Sequence, residues 1–199
     1  MRIIFLVAWI MLLFISFLWA DTGYVDPNGD GVVASYWYQY GEGTYYGNID
    51  DAVRQPNIDS ITSDFIYLDY DHWWGEVNLY MTTLTVGSVT EIKIWAYVET
   101  ALAGDYVKTN ISKDGSTWVG EQTLISGSGG PAWYSVTFDL SASPWSQTDL
   151  DGLQVKLKGY SNAEEPGDIV AVYAMYAEIT YTPPSVTLKG VTLKGVTVK

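Results

Sequence analysis

The 199-residue chain contains no cysteine and a single histidine, His72. Without thiols it has no disulfides, no thiolate catalysis and no cysteine metal site, so an exported form has to be stable through its core alone. One histidine excludes a multi-histidine metal site, and no Gly-x-Ser-x-Gly sequence offers a serine nucleophile to pair with it. The sequence carries no catalytic signature, and we predict that the protein is not an enzyme.

Basic residues are scarce and unevenly placed. Residues 21–182 hold all 23 acidic residues against six bases, a net charge of −17, whereas residues 183–199 hold three lysines and no acid. A body this acidic repels phosphate backbones, which excludes nucleic acid as a partner. The basic tail would be attracted to the acidic body of its own or a neighbouring molecule, and salt would weaken that attraction.

The first twenty residues are almost entirely apolar. Met1-Arg2 precedes the eighteen residues 3–20, of which only Ser16 is clearly polar, so we expect an apolar N-terminal helix. One interpretation is a signal peptide cleaved after Ala20, although Leu18 departs from the small residue preferred there. The other is an uncleaved membrane anchor, since the length suffices for a span. Both predict an extracellular, cell-surface or virion-surface location, with membrane contact only through residues 3–20 if they are retained.

From Tyr24 onward the pattern is one of strands and turns. Alternation is clearest in Ile92–Glu99, where Ile92, Ile94, Ala96 and Val98 share one face. The other predicted strands are residues 32–38, 65–70, 77–85, 106–112, 118–125, 133–140, 153–158 and 169–181. Strands at this spacing predict an all-β fold, a single antiparallel β-sandwich over residues 21–182 with jelly-roll topology. A single helical turn is expected at residues 149–152.

The sequence Asp26-Pro27-Asn28-Gly29-Asp30-Gly31 allows two interpretations. It matches the first half of a calcium loop, in which Asp26, Asn28 and Asp30 would supply oxygen ligands. The twelfth position is Trp37 instead of glutamate, which excludes the helix-loop-helix form and requires remote ligands. The alternative is a turn, because Pro, Asn, Gly and Asp all favour one.

Several motifs together resemble a known group of modules. They are Pro27-Asn28-Gly29-Asp30, Pro144-Trp145-Ser146 and Asp149-Leu150-Asp151-Gly152-Leu153-Gln154. This order resembles the jelly-roll modules of uncharacterised phage, prophage and secreted surface proteins. The resemblance covers most of residues 21–182 but neither end, and it implies a structural or adhesive role with no catalytic residues.

Aromatic residues are abundant, and one cluster combines them with acids. Tyr70, Asp71, Trp73 and Trp74 lie together, and Trp118 stands apart in the chain. Aromatic rings that stack on sugars and carboxylates that accept hydroxyl hydrogen bonds would make these five residues a glycan-binding site. The competing interpretation is that the rings cap the core, as large aromatics mostly do. A glycan hydrolase would need two carboxylates across a cleft, which sequence spacing cannot establish.

The chain ends in the repeat Val-Thr-Leu-Lys-Gly after Pro183-Pro184. The apolar positions are Val186, Leu188, Val191, Leu193, Val196 and Val198. Along one flat strand, a period of five would place Val191 and Leu193 on the face opposite Val186 and Leu188. A register reset at each glycine, burial on both faces as a donated strand, and a flexible tail are the alternatives.

The primary functional prediction is a non-catalytic extracellular structural or adhesive subunit. It would assemble into a fibre or surface layer by donating the C-terminal strand, or bind a surface or virion partner. A carbohydrate-binding module is the alternative prediction, and a glycan hydrolase the third. No cofactor is expected other than the calcium considered above.

Overall fold

The computed structural model describes residues 20–34, 37–40, 65–68, 74–162, 168–184, 186–188 and 191–193. The strands in these ranges are β1 (Asp21–Val25), β2 (Pro27–Ala34), β3 (Tyr38–Tyr40), β4 (Phe65–Leu68), β5 (Trp74–Met81), β6 (Ser88–Thr100), β7 (Tyr106–Ser112), β8 (Trp118–Ser126), β9 (Gly129–Asp139), β10 (Gln154–Tyr160), β11 (Val170–Thr182), β12 (Val186–Leu188) and β13 (Val191–Leu193). A short helix, α1 (Gln147–Asp151), lies between β9 and β10. The helix expected at the N-terminus falls outside the described residues.

Eleven of these strands form two antiparallel sheets. Sheet A has the order β3-β4-β11-β6-β9, with β1 also paired to β11, and sheet B has the order β2-β5-β10-β7-β8. Between β4 and β11 every connection crosses from one sheet to the other except the β7–β8 hairpin. This order of eight strands is consistent with a jelly roll. The predicted all-β antiparallel sandwich is confirmed.

Alternation along the strands builds the core between the two sheets. The predicted face of β6 is confirmed, because Ile92, Ile94, Ala96 and Val98 are all fully buried. From sheet B, alternate residues of β5 and β10 meet them, Val77 and Leu79 on the first strand and Val155 and Leu157 on the second. The intervening residues of the same strands form the outer faces of the sandwich.

Trp37 links the two sheets at one end of the core. Its indole lies over Gly75 and Gly159, which are directly opposite each other in β5 and β10. A Cβ atom at Gly159 would lie 2.6 Å from the ring, and one at Gly75 would lie 2.8 Å from it. The glycine pair therefore makes the space that this buried indole fills.

Helix α1 closes the end of the sandwich near β6. Its N-cap is Ser146, whose hydroxyl and backbone exchange hydrogen bonds with Asp149 in a capping box. The side chain of Gln147 accepts a 2.7 Å hydrogen bond from the Val86 N–H and so holds the helix to the β5–β6 connection. The helical turn expected at residues 149–152 is confirmed, although it begins earlier.

The turn predicted at Pro27–Gly31 is wrong. These residues belong to β2, an edge strand of sheet B that pairs with β5. The pairing shifts register between Pro27 and Gly29 and again between Asp30 and Val33. Bulges on an edge strand tolerate the same proline and glycine residues that favour turns, which explains why the pattern was misleading.

The C-terminal repeat forms a third, two-stranded sheet. Strands β12 and β13 pair antiparallel, with Val186 opposite Leu193 and Leu188 opposite Val191. Directly opposed residues lie on the same face of a sheet, so these four positions share one face. The first two repeats therefore pair with each other instead of continuing as one flat strand. Val196 and Val198 lie outside the described residues.

Within the part of the chain that the structure describes, no helix is both long enough and apolar enough to cross a membrane.

Candidate functional site

The sandwich has two outer faces of different composition. We call the outer side of sheet B the mixed face. On it β5 places Trp74, Glu76, Asn78 and Tyr80, because the residues between them point into the core. The neighbouring strands add these side chains: Gln154, Lys156, Lys158 and Tyr160 from β10, Tyr106, Lys108, Asn110 and Ser112 from β7, and Trp118 and Glu121 from β8.

Two exposed rings mark the ends of β5 on the mixed face. Trp74 is 48% exposed and Tyr80 is 45% exposed. Six residues of strand separate them, which corresponds to roughly 20 Å. Next to Trp74, the register places Tyr160 and then Tyr106 in the same row, and these two rings stack with centroids 5.3 Å apart. One end of the face is thus an aromatic row across three strands.

Charged side chains occupy the middle of the mixed face. Lys156 pairs with Glu76 at 2.5 Å, and its Nζ also lies 4.4 Å from the centroid of the Trp118 ring. This lysine is therefore held between a carboxylate and an aromatic face. Directly opposite Lys156 in the sheet lie Asn78 and Asn110, which add amide groups to the same row.

A second charged group lies one row away. Lys158 and Lys108 are directly opposite each other, and Glu121 bridges them at 3.4 and 3.0 Å. Its hydrogen bond with Lys108 lowers the pKa of Glu121 below its usual value and raises the pKa of Lys108. Two ammonium groups share one carboxylate, so strands β5, β7, β8 and β10 present three lysines and two glutamates in this area.

We call the outer side of sheet A the aromatic face. Its nine rings belong to Tyr24, Tyr38, Phe65, Tyr67, Trp95, Tyr97, Trp133, Tyr173 and Tyr176, and neighbouring centroids lie 5.0 to 6.1 Å apart. The rings form one unbroken series across β1, β3, β4, β6, β9 and β11. Aromatic pairs in edge and offset arrangements stabilise a fold beyond their burial, so this series has a structural role of its own.

Carboxylates hold two rings of the aromatic face in place. Trp95 Nε1 donates a 2.9 Å hydrogen bond to Glu178, and the Tyr173 hydroxyl donates a 2.6 Å hydrogen bond to Glu99. Burial, and then the bond to Glu99, raise the pKa of Tyr173 far above its usual value. Lys93 lies over Trp95 with its Nζ 4.0 Å from the centroid.

The structure separates the glycan-site residues predicted from sequence. Trp74 lies on the mixed face at the start of β5, and Trp118 lies on the same face at the start of β8. Three strand spacings and six residues separate them, a diagonal of roughly 25 Å. Tyr70, Asp71 and Trp73 lie outside the described residues, so their part in a site stays a prediction.

Sequence reasoning overlooked other residues of the mixed face. Tyr80, Tyr106, Tyr160 and Lys156 were not singled out, because none belongs to a local motif. The available signal was the alternation in β10, where Gln154, Lys156, Lys158 and Tyr160 occupy alternate positions. Which strands become neighbours, however, depends on the sheet order, and the sequence does not reveal that order.

The candidate calcium ligands lie where the chain passes from sheet A to sheet B. Asp26 separates β1 from β2, and its backbone exchanges hydrogen bonds with Thr82. Asn28 and Asp30 belong to β2. The structure, over the residues it describes, contains no group of three or more His, Cys, Asp or Glu side chains that could hold a metal ion. Calcium binding through remote ligands stays a prediction.

Comparisons with known proteins show distant similarity only. No family model and no curated protein matches the chain. The chain is similar to the enzymatically active domain of bacteriophage CBA120 tailspike protein 4, with 10% identity and a TM-score of 0.39 over 78% of this chain and 19% of that one. It thus spans about a fifth of the tailspike chain.

Two similar structures are whole domains. One is the CBM36-1 domain of a multidomain xylanase from the hindgut metagenome of Trinervitermes trinervoides, with 12% identity, a TM-score of 0.36 and coverage of 80% and 96%. The other is the K1 cleaved adhesin domain of Lys-gingipain from Porphyromonas gingivalis, with 14% identity, a TM-score of 0.35 and coverage of 80% and 97%. At such scores, function has to be argued from the geometry of the faces.

Proposed function

We propose that the sandwich is a non-catalytic binding module that holds a glycan across the mixed face. The observation that supports this most strongly is the pair of half-exposed rings, Trp74 and Tyr80, on one strand of the outer side of sheet B. Exposed rings offer apolar area for the C–H surfaces of sugars, at little entropic cost because aromatic side chains have few rotamers.

Polar groups between the rings supply the hydrogen bonds that a sugar needs. Asn78 and Asn110 carry amides, Glu76 is an acceptor and Lys156 is a donor, all in the rows between the two rings. The Oδ1 atom of Asn78 is buried and has no hydrogen-bond partner in the described part of the protein. The hydrogen-bonding capacity of this face is therefore not fully used within the chain.

The charges of the mixed face favour an acidic glycan. Three of the six bases of residues 21–182 lie here, Lys108, Lys156 and Lys158, and among the described residues they pair with Glu76 and Glu121. A uronic-acid polymer would be repelled by the remainder of an acidic body but not by this area. Such binding would suit an adhesive protein outside the cell, in agreement with the apolar N-terminus.

A glycan array of neutral and uronic-acid oligosaccharides tests the proposal, followed by titration calorimetry with the best ligand. Trp74→Ala and Tyr80→Ala should each weaken binding at least tenfold, because the contact between ring and sugar is lost with the ring. Tyr24→Ala is the matched control: it removes a ring of 46% exposure from the aromatic face and should leave affinity unchanged.

Failure on the array, or equal losses from Tyr24→Ala and Trp74→Ala, would contradict binding at the mixed face. If only neutral glycans bind on the array, the mixed face remains the proposed binding surface, but its proposed preference for acidic sugars is wrong.

A further inference from the structure

The C-terminal repeat has the build of a small sheet with one apolar face. Positions 186, 188, 191 and 193 share a face, whereas Thr187 and Thr192 oppose each other on the other face. The two residues between the strands are Lys189 and Gly190, and a glycine there favours a two-residue hairpin. The same sequence spacing recurs at Lys194-Gly195, so each of the first two repeats contributes one lysine.

Such a sheet needs a surface to cover it. An isolated two-stranded hairpin is marginally stable in water, and sheets become stable when an apolar face packs against something else. In the described residues β12 and β13 pair only with each other, not with an edge of sheet A or sheet B. The hairpin therefore fits docking by its face better than the strand donation expected from sequence.

The aromatic face matches this hairpin in chemistry. It is a layer of rings, and Tyr24 at its β1 end is 46% exposed. Strands β6, β9 and β11 place Glu91, Glu99, Asp139 and Glu178 on it against one base, Lys93. Glu91 and Asp139 are directly opposite each other, a like-charge pair that a lysine would relieve.

Charge distinguishes the two faces as docking surfaces. The tail carries Lys189, Lys194 and Lys199, which complement the excess of three acids on the aromatic face. On the mixed face they would meet an excess of lysine instead. Electrostatic complementarity of this kind determines which of two apolar surfaces a charged partner selects.

The exit of the tail favours docking on a different molecule. The carbonyl of Thr182 accepts a 2.7 Å hydrogen bond from the Gly87 N–H, which fixes the end of β11. Thr182 and Pro183 each precede a proline, so both are restricted to extended backbone. A return of the tail over its own sheet A would therefore need a chain reversal after Pro184.

We propose that the repeat tail of one copy docks on the aromatic face of a second copy. The tail and the face are different surfaces, so the contact is head-to-tail, and repetition builds an open filament unless a ring closes. This proposal is independent of glycan binding, which uses the other face.

Light scattering of the full chain over a range of concentrations tests it. The full chain should associate, and a chain ending at Pro184 should stay at the mass of one copy. Tyr24→Lys should weaken association at least tenfold, while Tyr80→Lys, a tyrosine of equal exposure on the mixed face, should not. Circular dichroism confirms that each variant is folded.

Mixing separates this contact from a tail-to-tail contact. The chain ending at Pro184 keeps the face, and the Tyr24→Lys chain keeps the tail, so the mixture should form dimers that neither forms alone. Unchanged association after truncation, equal effects of the two lysine variants, or no dimer in the mixture would each overturn the proposal.

Discussion

The two outer faces of the sandwich use aromatic residues in different ways. On the aromatic face nine rings contact one another, and the central one, Tyr176, is only 4% exposed. On the mixed face Trp74 and Tyr80 stand at opposite ends of β5, and both are about half exposed. Rings that pack together stabilise the fold, whereas rings that are half exposed still offer surface to a ligand.

The largest difference in stability between the two faces should come from removal of Tyr176, the central ring of the aromatic face. Tyr176 contacts the rings of Tyr24, Trp95 and Trp133. Tyr176→Ala should lower the free energy of unfolding by about 3 kcal/mol, since it leaves a cavity under three rings. Tyr160→Ala on the mixed face should lower it by about 1 kcal/mol, because it removes one stacked contact, with Tyr106. Urea denaturation measures both, and equal losses would contradict the difference between the faces.

The next largest change in stability should come from replacing a lysine that lies over a tryptophan ring. Lys156 lies between Glu76 and Trp118 with its side chain 17% exposed. Lys156→Met should destabilise the protein by about 1.5 kcal/mol, because Glu76 loses its partner. Lys93→Met, which removes a similar contact with Trp95 on the aromatic face, should cost about 0.5 kcal/mol. Urea denaturation measures both free energies of unfolding. A larger loss for Lys93→Met than for Lys156→Met would contradict this prediction.

Alkaline pH should affect the aromatic face through Tyr173. Burial, and then its hydrogen bond to Glu99, raise the pKa of Tyr173 above the unfolded value of about 10. The neutral phenol therefore stabilises the fold below that pH, and stability is lost as the pH rises, by about 1 kcal/mol per unit above 10. Tyr173→Phe should remove this part of the loss between pH 10 and 11. If the free energy of unfolding falls by the same amount in the unmodified protein and in Tyr173→Phe between pH 10 and 11, this prediction is wrong.

Acid pH should have the smallest effect, on the mixed face. Lys108 lowers the pKa of Glu121, so the ionised carboxylate stabilises the fold fully above the unfolded value of about 4.3. This contribution is lost as the pH falls from there through the lowered folded-state pKa. Because both side chains are about one-third exposed, solvent screens the pair. Glu121→Gln should cost about 0.5 kcal/mol at pH 7, and this cost should shrink as the pH falls through the lowered pKa of Glu121. A cost that persists at low pH would point to packing instead.

How far the sequence predicts this molecule depends on whether the signal is local. Alternation in β6 predicted its buried face correctly, because period-two burial requires only that one side of a strand meets a core. The residues Pro27–Gly31 predicted a turn and form a bulged strand, because the pairing of β2 with β5 outweighs local preference. Pairing partners are distant in sequence and leave no local trace.

The same limit applies to the candidate site. Trp74 and Trp118 were singled out as conspicuous residues, and the structure places both on one face but far apart. The row of Trp74, Tyr160 and Tyr106 exists only because β10 lies between β5 and β7. In the repeat tail, residues 186–188 and 191–193 pair with each other, so these two repeats do not continue as one flat strand.

Hydroxyl-radical footprinting of the full chain, with and without the glycan selected on the array, tests the division between the two faces most directly. Trp74 and Tyr80 should lose reactivity when the glycan binds, and Tyr24 should keep it, because the three side chains are similarly exposed in the free protein. Protection of Tyr24 together with unchanged reactivity of Trp74 and Tyr80 would contradict the account.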